Sequence, residues 1–506
     1  MSAATPRVLV VALCVGGITV ALMHTLVVPL LPVFPELLGV SRAQVSWLVT
    51  ATMLAGVVGA PVFGRLGDLF GKRRILLLVL GIMLAGSVLG AVSWSYGPLL
   101  VARALQGAAF GVIPLGISLL KDALPADRAG SAVALMSSTL GIGGAIGLPV
   151  AGVLPQYTGW HALFWLASAM SAASLLLAWR FVPESPVRAG GRFDVPGAVG
   201  LSAALICLLL PVSQGSEWGW TSPRTLGLFA ASVVIFLGWG AYQLRVDAPL
   251  VNLRTSARPM VLLTNLAAIL VGVGMFTSFV LIGQVMQAPV ATGYGFGTSL
   301  AVAGIAQAPT GISMLIFAPL SARLSNAHGA QLTLLVGCVL LAATNLVQAM
   351  LPGSLLLVVM IITVAAAGTA LTYAAMPTVI MEEAPPTETS AANGLNTVMR
   401  TIGTSTCSAA MGAILVTFTM TADGQVLPAP AAYQLAFGIA AGCSAVAAVL
   451  ACFLVALRRR RTAAIPLPEL VAENPQVTGP ADRTRNPGPA ATRSGPGSCG
   501  GYRSRP

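Results

Sequence analysis

Three basic side chains lie within long apolar stretches of this sequence: His24, Arg103 and Arg400. A charged group inside a membrane is costly, so such residues are expected to face a cavity or a partner rather than lipid. The two arginines act as fixed charges, whereas histidine titrates at about pH 6.5 and is cheap to bury in its neutral form. None of these stretches contains Asp or Glu. We therefore predict that His24 is the one of the three that can carry or relay a proton.

Amide side chains stand close to both arginines. Gln106 lies three residues after Arg103, and the two share a helix face. Asn396 lies one helical turn before Arg400. We predict that Gln106, Asn396 and Arg400 line a substrate cavity, although each could instead bond to a neighbouring helix. Similarly, His24 could line a cavity without carrying a proton, and Arg103 could extend to the membrane surface.

The composition places the chain in a membrane. Of 506 residues, 27 are Lys or Arg and 15 are Asp or Glu, so only 8% are charged. A soluble domain carries roughly 25% charged residues, and so few charges cannot cover a soluble surface of this size. An ordinary cytosolic enzyme, a disordered protein and a nucleic-acid-binding domain are excluded, despite a net charge of +12. The seven cysteines form no CxxC pair or Cys/His cluster, so we expect neither disulfides nor a metal site.

Fourteen apolar runs are long enough to cross a bilayer, which takes about 20 residues. The runs are 8–33, 44–63, 75–96, 98–120, 130–154, 162–182, 195–214, 225–244, 260–285, 296–318, 331–350, 354–381, 392–419 and 432–456. Basic residues concentrate in the loops that follow even-numbered runs, which hold Arg65, Lys72, Arg73, Arg74, Lys121, Arg128, Arg180, Arg188, Arg192, Arg245, Arg254, Arg258 and Arg323. The other loops hold only Arg42 and Arg224. The positive-inside rule then predicts that both termini are cytoplasmic.

The chain also repeats itself. Ala60-Pro61, Arg65-Leu66 and Gly71 recur 258 residues later as Ala318-Pro319, Arg323-Leu324 and Gly329, with Asp68 replaced by Asn326. Tandem halves of this kind are typical of transporters that hold substrate between two helical bundles. We predict an all-α integral membrane protein of two six-helix bundles with two extra central transmembrane helices.

The predicted bundles divide the sequence into four parts. Residues 1–182 form the N-terminal six-helix bundle, 183–258 a linker with the two extra helices, and 259–457 the C-terminal six-helix bundle. Residues 458–506 are rich in Pro, Ala, Gly and Arg and are predicted to be a disordered basic cytoplasmic tail. Its first four residues, Arg458–Arg461, are expected to contact anionic lipid.

The segment between the second and third runs resembles the signature cytoplasmic loop of the major facilitator superfamily, G-x-L-x-D-x-x-G-[RK]-[RK]. It reads Gly64-Arg65-Leu66-Gly67-Asp68-Leu69-Phe70-Gly71-Lys72-Arg73-Arg74. Glycines permit a tight turn and close helix approach, and an acidic side chain can meet a helix N-terminus or a cation of the opposite bundle. The resemblance implies a gating role for Gly64, Asp68, Gly71 and Arg73. A plain positive-inside loop is the alternative.

Two further segments resemble motifs of the same superfamily. Leu100–Gly107 is similar to l-x-x-x-R-x-x-q-G, which implies a role in proton coupling for Arg103. Gly141–Gly152 is similar to the antiporter motif g-x-x-x-G-P-x-x-G-G, although the proline is one position late and Ala151 replaces a glycine. The residues that carry this antiporter-like motif are Gly143, Gly147, Pro149 and Gly152. Close packing of glycine-rich helices would also explain the segment.

The remaining resemblance is to the fourteen-spanner drug:proton antiporter family. It is carried by Phe193-Asp194-Val195-Pro196-Gly197, Trp218-Gly219-Trp220, Pro249-Leu250-Val251 and Arg400-Thr401-Ile402-Gly403. One departure concerns the family's L-D-x-T motif in the first span, which here reads Leu22-Met23-His24-Thr25 and lacks the acid. That departure leaves His24 as the membrane-embedded proton carrier, with Asp68 and Glu36 at opposite membrane surfaces as weaker candidates.

The sequence thus predicts a secondary active transporter of the bacterial cytoplasmic membrane rather than an enzyme. It would export hydrophobic or amphipathic small molecules, such as drugs or antibiotics, by alternating access in exchange for protons. We expect it to act as a monomer with substrate, protons and membrane lipid as partners, and without nucleic acid or a cofactor. A dedicated metabolite or lipid exporter, or an uncoupled facilitator, fits the same motifs. A membrane enzyme or sensor is the remote alternative, since the runs hold no carboxylate for acid–base chemistry.

Overall fold

The computed structural model describes residues 6–27, 30–31, 33–351, 353–422 and 425–464. These residues form helices and one antiparallel hairpin, in which β1 (Thr419–Ala422) pairs with β2 (Gln425–Pro428). The helices are α1 Pro6–Thr25, α2 Phe34–Leu38, α3 Arg42–Phe70, α4 Lys72–Ala91, α5 Tyr96–Ala108, α6 Val112–Ala123, α7 Ala126–Thr158, α8 His161–Phe181, α9 Val195–Trp218, α10 Pro223–Gln243, α11 Leu253–Ser256, α12 Pro259–Phe276, α13 Ile282–Gln287, α14 Leu300–His328, α15 Ala330–Ala349, α16 Leu355–Glu383, α17 Thr389–Thr417 and α18 Pro430–Ala464. A 3-10 turn at Ala109–Gly111 joins α5 to α6, and a π-helical turn at Thr277–Leu281 joins α12 to α13.

Twelve helical segments among the described residues are long and apolar enough to cross a membrane. They correspond to twelve of the fourteen predicted runs. The fifth and thirteenth runs form α7 and α17, which have 33 and 29 residues but are not among the twelve. Both helices carry many polar residues; α17, for example, includes Asn393, Asn396 and Arg400. The count of fourteen spans stays a prediction.

The predicted loop between the second and third runs is mostly helical, which corrects that part of the prediction. Helix α3 continues to Phe70 and α4 begins at Lys72, so Gly71 alone separates them. Gly71 has a φ of 111°, a conformation that glycine adopts without the steric cost of a Cβ atom. Gly329, its counterpart in the repeat, separates α14 from α15 with a φ of 98°. The repeat in the sequence is therefore a repeat of backbone geometry.

Three other boundaries differ from the sequence prediction. Helix α1 ends at Thr25 rather than near residue 33, ahead of prolines at 29 and 32 in the sequence. The β1–β2 hairpin was not predicted; the Tyr294 hydroxyl donates a hydrogen bond of 2.7 Å to the carbonyl of Pro428 at its end. Helix α18 continues to Ala464, so residues 458–464 are helical instead of disordered. The rest of the predicted tail, residues 465–506, lies outside the described residues.

The helices of the two repeated halves pack against each other. Helices α1–α8 are called the N-terminal half and α12–α18 the C-terminal half. Helix α3 packs against α17, and α7 packs against α14 and α16. Helix α9 of the extra pair packs on both α3 and α17, in an apolar cluster that includes Leu201, Leu205, Leu395 and Val398. The extra pair therefore contacts both halves through α9, while α10 packs on α9.

A buried carboxylate holds the ends of the extra pair together. Asp194, 6% exposed, caps the N-terminus of α9 by accepting from the Gly197 amide at 2.8 Å. It also accepts from the Tyr242 hydroxyl at 3.0 Å, from Gln243 Nε2 at 2.6 Å and from the Leu250 amide at 3.2 Å. The sequence segments 193–197 and 249–251 therefore meet at one structural site.

Replacing Asp194 by Ala is expected to destabilise the fold by about 2–4 kcal/mol, because the helix cap is lost and buried donors are left unpaired. Unfolding of the purified protein by a denaturing detergent would measure this change. Asp247→Ala is the control, since Asp247 is exposed after α10. Equal stability of the two variants would contradict the structural role of Asp194.

Candidate functional site

A cavity of about 270 Å³ lies between helices of the two halves. Helices α1, α3 and α7 supply one side, together with the turn that holds Phe110, and α12, α14, α16 and α17 supply the other. Its volume lies near the lower end of the roughly 300–1,000 Å³ typical of small-molecule sites. We call it the central cavity.

The lining of the central cavity is mainly apolar. Its large apolar and aromatic side chains are Met53, Phe110, Leu140, Met275, Phe276, Phe279, Met314 and Tyr373. Its polar side chains, besides the Tyr373 hydroxyl, are His24, Gln307, Thr310, Thr369, Arg400, Thr401 and Thr404. No Asp, Glu or Lys is among the described residues that line it. Among the described lining residues, only Arg400 has a side chain that is charged at every physiological pH.

Arg400 is held by an aromatic ring. Its guanidinium carbon lies 4.2 Å from the centroid of the Tyr373 ring, and the residue is 6% exposed. A cation over an aromatic face is attracted by the ring quadrupole. Tyr373 is itself oriented by α12, because its hydroxyl donates to Met275 Sδ at 2.8 Å. Helices α12, α16 and α17 thus fix the position of this charge.

His24 lines the opposite side of the central cavity, near the end of α1. Its ring meets the Phe110 ring edge-on, with centroids 4.0 Å apart. Its Nε2 atom is buried and has no hydrogen-bond partner among the described residues. His24 thus contributes to the cavity lining an imidazole ring whose Nε2 makes no hydrogen bond within the described residues.

Arg103 and Gln106 lie outside this lining, within the N-terminal half. Arg103, 1% exposed, donates to the carbonyls of Met23 at 2.9 Å and Leu48 at 3.3 Å, and to Gln106 Oε1 at 2.5 Å. The Met23 carbonyl is one of the last four of α1, which the helix itself leaves without a donor. Gln106 Nε2 donates to Ser87 Oγ at 3.1 Å. The pair thus ties α5 to α1, α3 and α4, and Gln106 does not reach the cavity.

Asn396 also bonds to a neighbouring helix. Its Nδ2 donates to Asn265 Oδ1 at 3.0 Å, and both side chains are buried between α17 and α12. Of the three residues predicted to line the cavity, the structure places only Arg400 there. The aromatic and methionine lining was not predicted, because such residues within an apolar run give no signal that separates a cavity wall from a lipid-facing surface.

The predicted gating residues connect the two halves where α3 ends and α17 begins. Asp68 Oδ2 accepts a hydrogen bond of 3.0 Å from the Ala391 amide in the first turn of α17. An anion at a helix N-terminus is stabilised by the free amides and the helix dipole. Lys72 Nζ lies 3.8 Å from Asp68 Oδ1 and donates to Thr389 Oγ1 at 3.3 Å. This set of contacts is called the α3–α17 lock.

Glycines bring the helices of the lock together. A Cβ atom at Gly64 would lie 2.7 Å from the Ser390 carbonyl oxygen, and one at Gly394 would lie 2.8 Å from that of Ala60. Real Cβ atoms essentially never approach backbone so closely. Gly64 is therefore required for the approach of α3 to α17, whereas Gly71 provides the turn.

Two acidic residues that we did not predict complete the lock on the N-terminal side. Asp122 accepts from Lys72 Nζ at 2.6 Å and from Ser185 Oγ at 2.6 Å. Glu184 Oε1 accepts from the Arg73 amide at 3.0 Å. In the sequence these residues look like ordinary charges at the ends of apolar runs. Their contacts depend on how α4, α6 and the segment after α8 meet.

The antiporter-like segment lies in α7, where it packs on α1. A Cβ atom at Gly143 would lie 2.5 Å from Ala21 Cβ and 2.7 Å from the Ile18 carbonyl, and one at Gly147 would overlap Thr25 Oγ1. Pro149 and Gly152 also belong to α7, but their surroundings lie outside what the structure describes. The glycines thus allow close contact between α1, which carries His24, and α7.

A family model described as Major Facilitator Superfamily matches residues 13–288 and again 264–481. The chain is 31% identical over 342 residues to the tetracenomycin C resistance and export protein of Streptomyces glaucescens, which covers 66% of this chain and 61% of that protein. It is 25% identical over 251 residues to multidrug resistance protein 3 of Bacillus subtilis, which covers 49% of each chain. The chain thus spans between about half and three fifths of these relatives. A solved proton:xylose symporter, XylE, shares the fold with a TM-score of 0.62 and 13% identity over 88% of this chain and 94% of that one.

Removing the Asp68 carboxylate is expected to open the α3–α17 lock. In Asp68→Ala the Ala391 amide loses its acceptor, so hydrogen–deuterium exchange in a peptide covering residues 389–395 should become at least tenfold faster. Asp68→Asn keeps one acceptor oxygen and should increase exchange less.

Glu36→Ala is the matched control for this measurement, because it removes an exposed carboxylate in α2. Its exchange in the same peptide should equal that of the wild type. Unchanged exchange in Asp68→Ala would show that Asp68 does not protect the start of α17.

Proposed function

Because the chain belongs to the Major Facilitator Superfamily, we propose that it exports hydrophobic or amphipathic small molecules, such as drugs or antibiotics, across a bacterial cytoplasmic membrane. The observation that carries this proposal is the central cavity, which is apolar, lies between the two halves and draws its lining from both. A site in that position can be exposed to each side of the membrane in turn when the halves rock against each other.

The names of two relatives support export. One is named for resistance to tetracenomycin C and its export, and the other for multidrug resistance. A largely apolar lining with a few polar groups suits amphipathic molecules, whose apolar surface gains by leaving water. An enzyme would need a clustered set of catalytic groups, and the described lining offers one histidine and one arginine without a carboxylate.

In the proposed transport cycle the α3–α17 lock acts as the gate. It joins α3 of the N-terminal half to the start of α17 in the C-terminal half through one carboxylate, one ammonium group and close glycine contacts. Breaking the contact of Asp68 with Ala391 costs a buried hydrogen bond to a charged group, about 1.5–3 kcal/mol. A gate of this strength can open when binding in the cavity favours the alternative state.

The membrane arrangement follows from the sequence prediction. Fourteen spans, with α7 and α17 added to the twelve apolar segments, place both termini in the cytoplasm. The lock then lies on the cytoplasmic side, and the helices group as 1–182, 183–258 and 259–457. We propose that the protein works as a monomer, because each half finds its partner within the same chain.

Protons are proposed as the exchanged ion, with His24 as the carrier. His24 lines the cavity, and its Nε2 has no hydrogen-bond partner among the described residues, so a proton and a substrate can compete for one space. Arg103, which donates to the Met23 carbonyl near the end of α1, keeps that end in place. An uncoupled facilitator is the second candidate, because the described lining lacks a carboxylate.

Cells that lack their own pumps should lose a preloaded fluorescent lipophilic dye when they express the protein. A protonophore should stop this efflux, and His24→Ala should reduce it at least tenfold at equal expression, because the titratable group is lost. Arg103→Ala should also reduce it, because α1 loses its anchor. Efflux rates with and without the protonophore are the measurement.

His328→Ala is the matched control, since this histidine is exposed at the end of α14. Its efflux should equal that of the wild type. Protonophore-sensitive efflux that persists in His24→Ala would remove His24 from the proton path. Efflux indifferent to the protonophore would favour the uncoupled facilitator.

A further inference from the structure

Arg103 and Arg400, two buried arginines within the helices, differ in how their charges are satisfied. Arg103 donates to two backbone carbonyls and to the Gln106 side chain. Arg400 is also buried, but among the described residues its recorded electrostatic contact is with the Tyr373 ring. The ion pairs among the described residues join Lys72 to Asp68 and to Asp122, so neither involves Arg400. Arg400 thus brings an uncompensated positive charge into the central cavity.

A buried charge without a counter-charge is unfavourable, and a cation–π contact offsets only part of its desolvation. The described lining provides no carboxylate that could compensate it. A molecule that brings a negative charge into the cavity would compensate the charge of Arg400 directly. A cationic molecule would instead meet a like charge in a medium of low dielectric constant, which opposes binding.

The other lining residues indicate what the rest of the negatively charged molecule is like. Phe276, Phe279 and Phe110 offer ring faces and edges, and Met275 and Met314 offer polarisable sulfur atoms that pack well against aromatic rings. His24 Nε2 offers one further polar atom without a partner among the described residues. The volume of about 270 Å³ suits a molecule of two or three fused or linked rings.

We propose that the central cavity selects aromatic molecules that carry one negative charge, with the anionic group held by Arg400 and the rings packed among the phenylalanine and methionine side chains. This inference rests on the proposed function and narrows it, since it names the substrate class that the exporter takes. Arg400 determines specificity, because it discriminates by charge between molecules of equal shape.

A pair of dyes that share one ring system tests the proposal. The dyes are 8-anilinonaphthalene-1-sulfonate, an anion, and N-phenyl-1-naphthylamine, which lacks the sulfonate and is uncharged. The purified full-length protein is placed in nanodiscs of zwitterionic lipid, and dye fluorescence in empty nanodiscs is subtracted. We expect the anion to bind at least tenfold more tightly than the neutral dye, each relative to its own partition into empty nanodiscs.

Substitutions at Arg400 test whether this residue causes the preference for the anionic dye over the neutral dye. Arg400→Gln should weaken binding of the sulfonate at least tenfold and change binding of the neutral dye by less than threefold. Arg400→Lys keeps the charge and should retain most of the preference. Arg224→Gln is the matched control, because Arg224 also stacks on an aromatic ring, 3.6 Å from the centroid of Trp218, but lies outside the cavity lining.

The outcomes separate this inference from the proposed function. Equal or tighter binding of the neutral dye to the wild type, or an unchanged preference in a folded Arg400→Gln, would overturn the anion selectivity, even if the cells export dyes. Anion binding that depends on Arg400 would support the anion selectivity. That result would stand even if the efflux experiment contradicted the proposed export. The wild-type comparison needs no variant, so it decides the question if Arg400→Gln does not fold.

Discussion

The cost of burying charge in a helical bundle surrounded by lipid governs how this molecule is built. Three buried ionic groups have specific solutions: Arg103 donates to a carbonyl near the end of α1, Asp194 accepts from two side chains and two backbone amides, and Lys72 meets two carboxylates. Each solution joins elements distant in sequence. The charged residues are therefore the fixed points of the fold, and Arg400 differs because its compensation is left to a cavity.

Close backbone approach supplies the second constraint. The α3–α17 contact depends on Gly64 and Gly394, and the contact of α7 with α1 depends on Gly143 and Gly147. Lipid gives no hydrophobic drive for helix association, so packing and polar contacts determine which helices meet. The repeated segments occupy comparable places in the two halves. Asn326 lies near Gly130 of α7, and Asp68 lies at the start of α17. Only the first copy has the carboxylate.

The sequence predicted much of the architecture, since membrane helices must satisfy their own backbone and so appear as long apolar runs. It also indicated that Asp68 would meet a helix N-terminus or a cation, because loop motifs carry their chemistry locally. It could not distinguish the roles of Arg103 and Arg400. Both are arginines with an amide one turn away, and only the rotation of each helix decides that one meets carbonyls while the other reaches the cavity. The sequence could not identify the aromatic lining for the same reason, because helix rotation decides which side chains face the cavity.

The charge on Arg400 also bears on what drives the proposed transport. An occupant with one negative charge would make the loaded cavity neutral, so the loaded state would cross the membrane field at little electrical cost. The empty cavity would then return with a positive charge. In a bacterium the interior is negative, and the field acts on such a charge with about 2.3 kcal/mol per 100 mV for a full crossing. That field favours the inward return, so net outward movement of an anion needs no proton. Proton exchange through His24 would add to this drive, whereas a carboxylate beside Arg400 would neutralise the charge on which it depends.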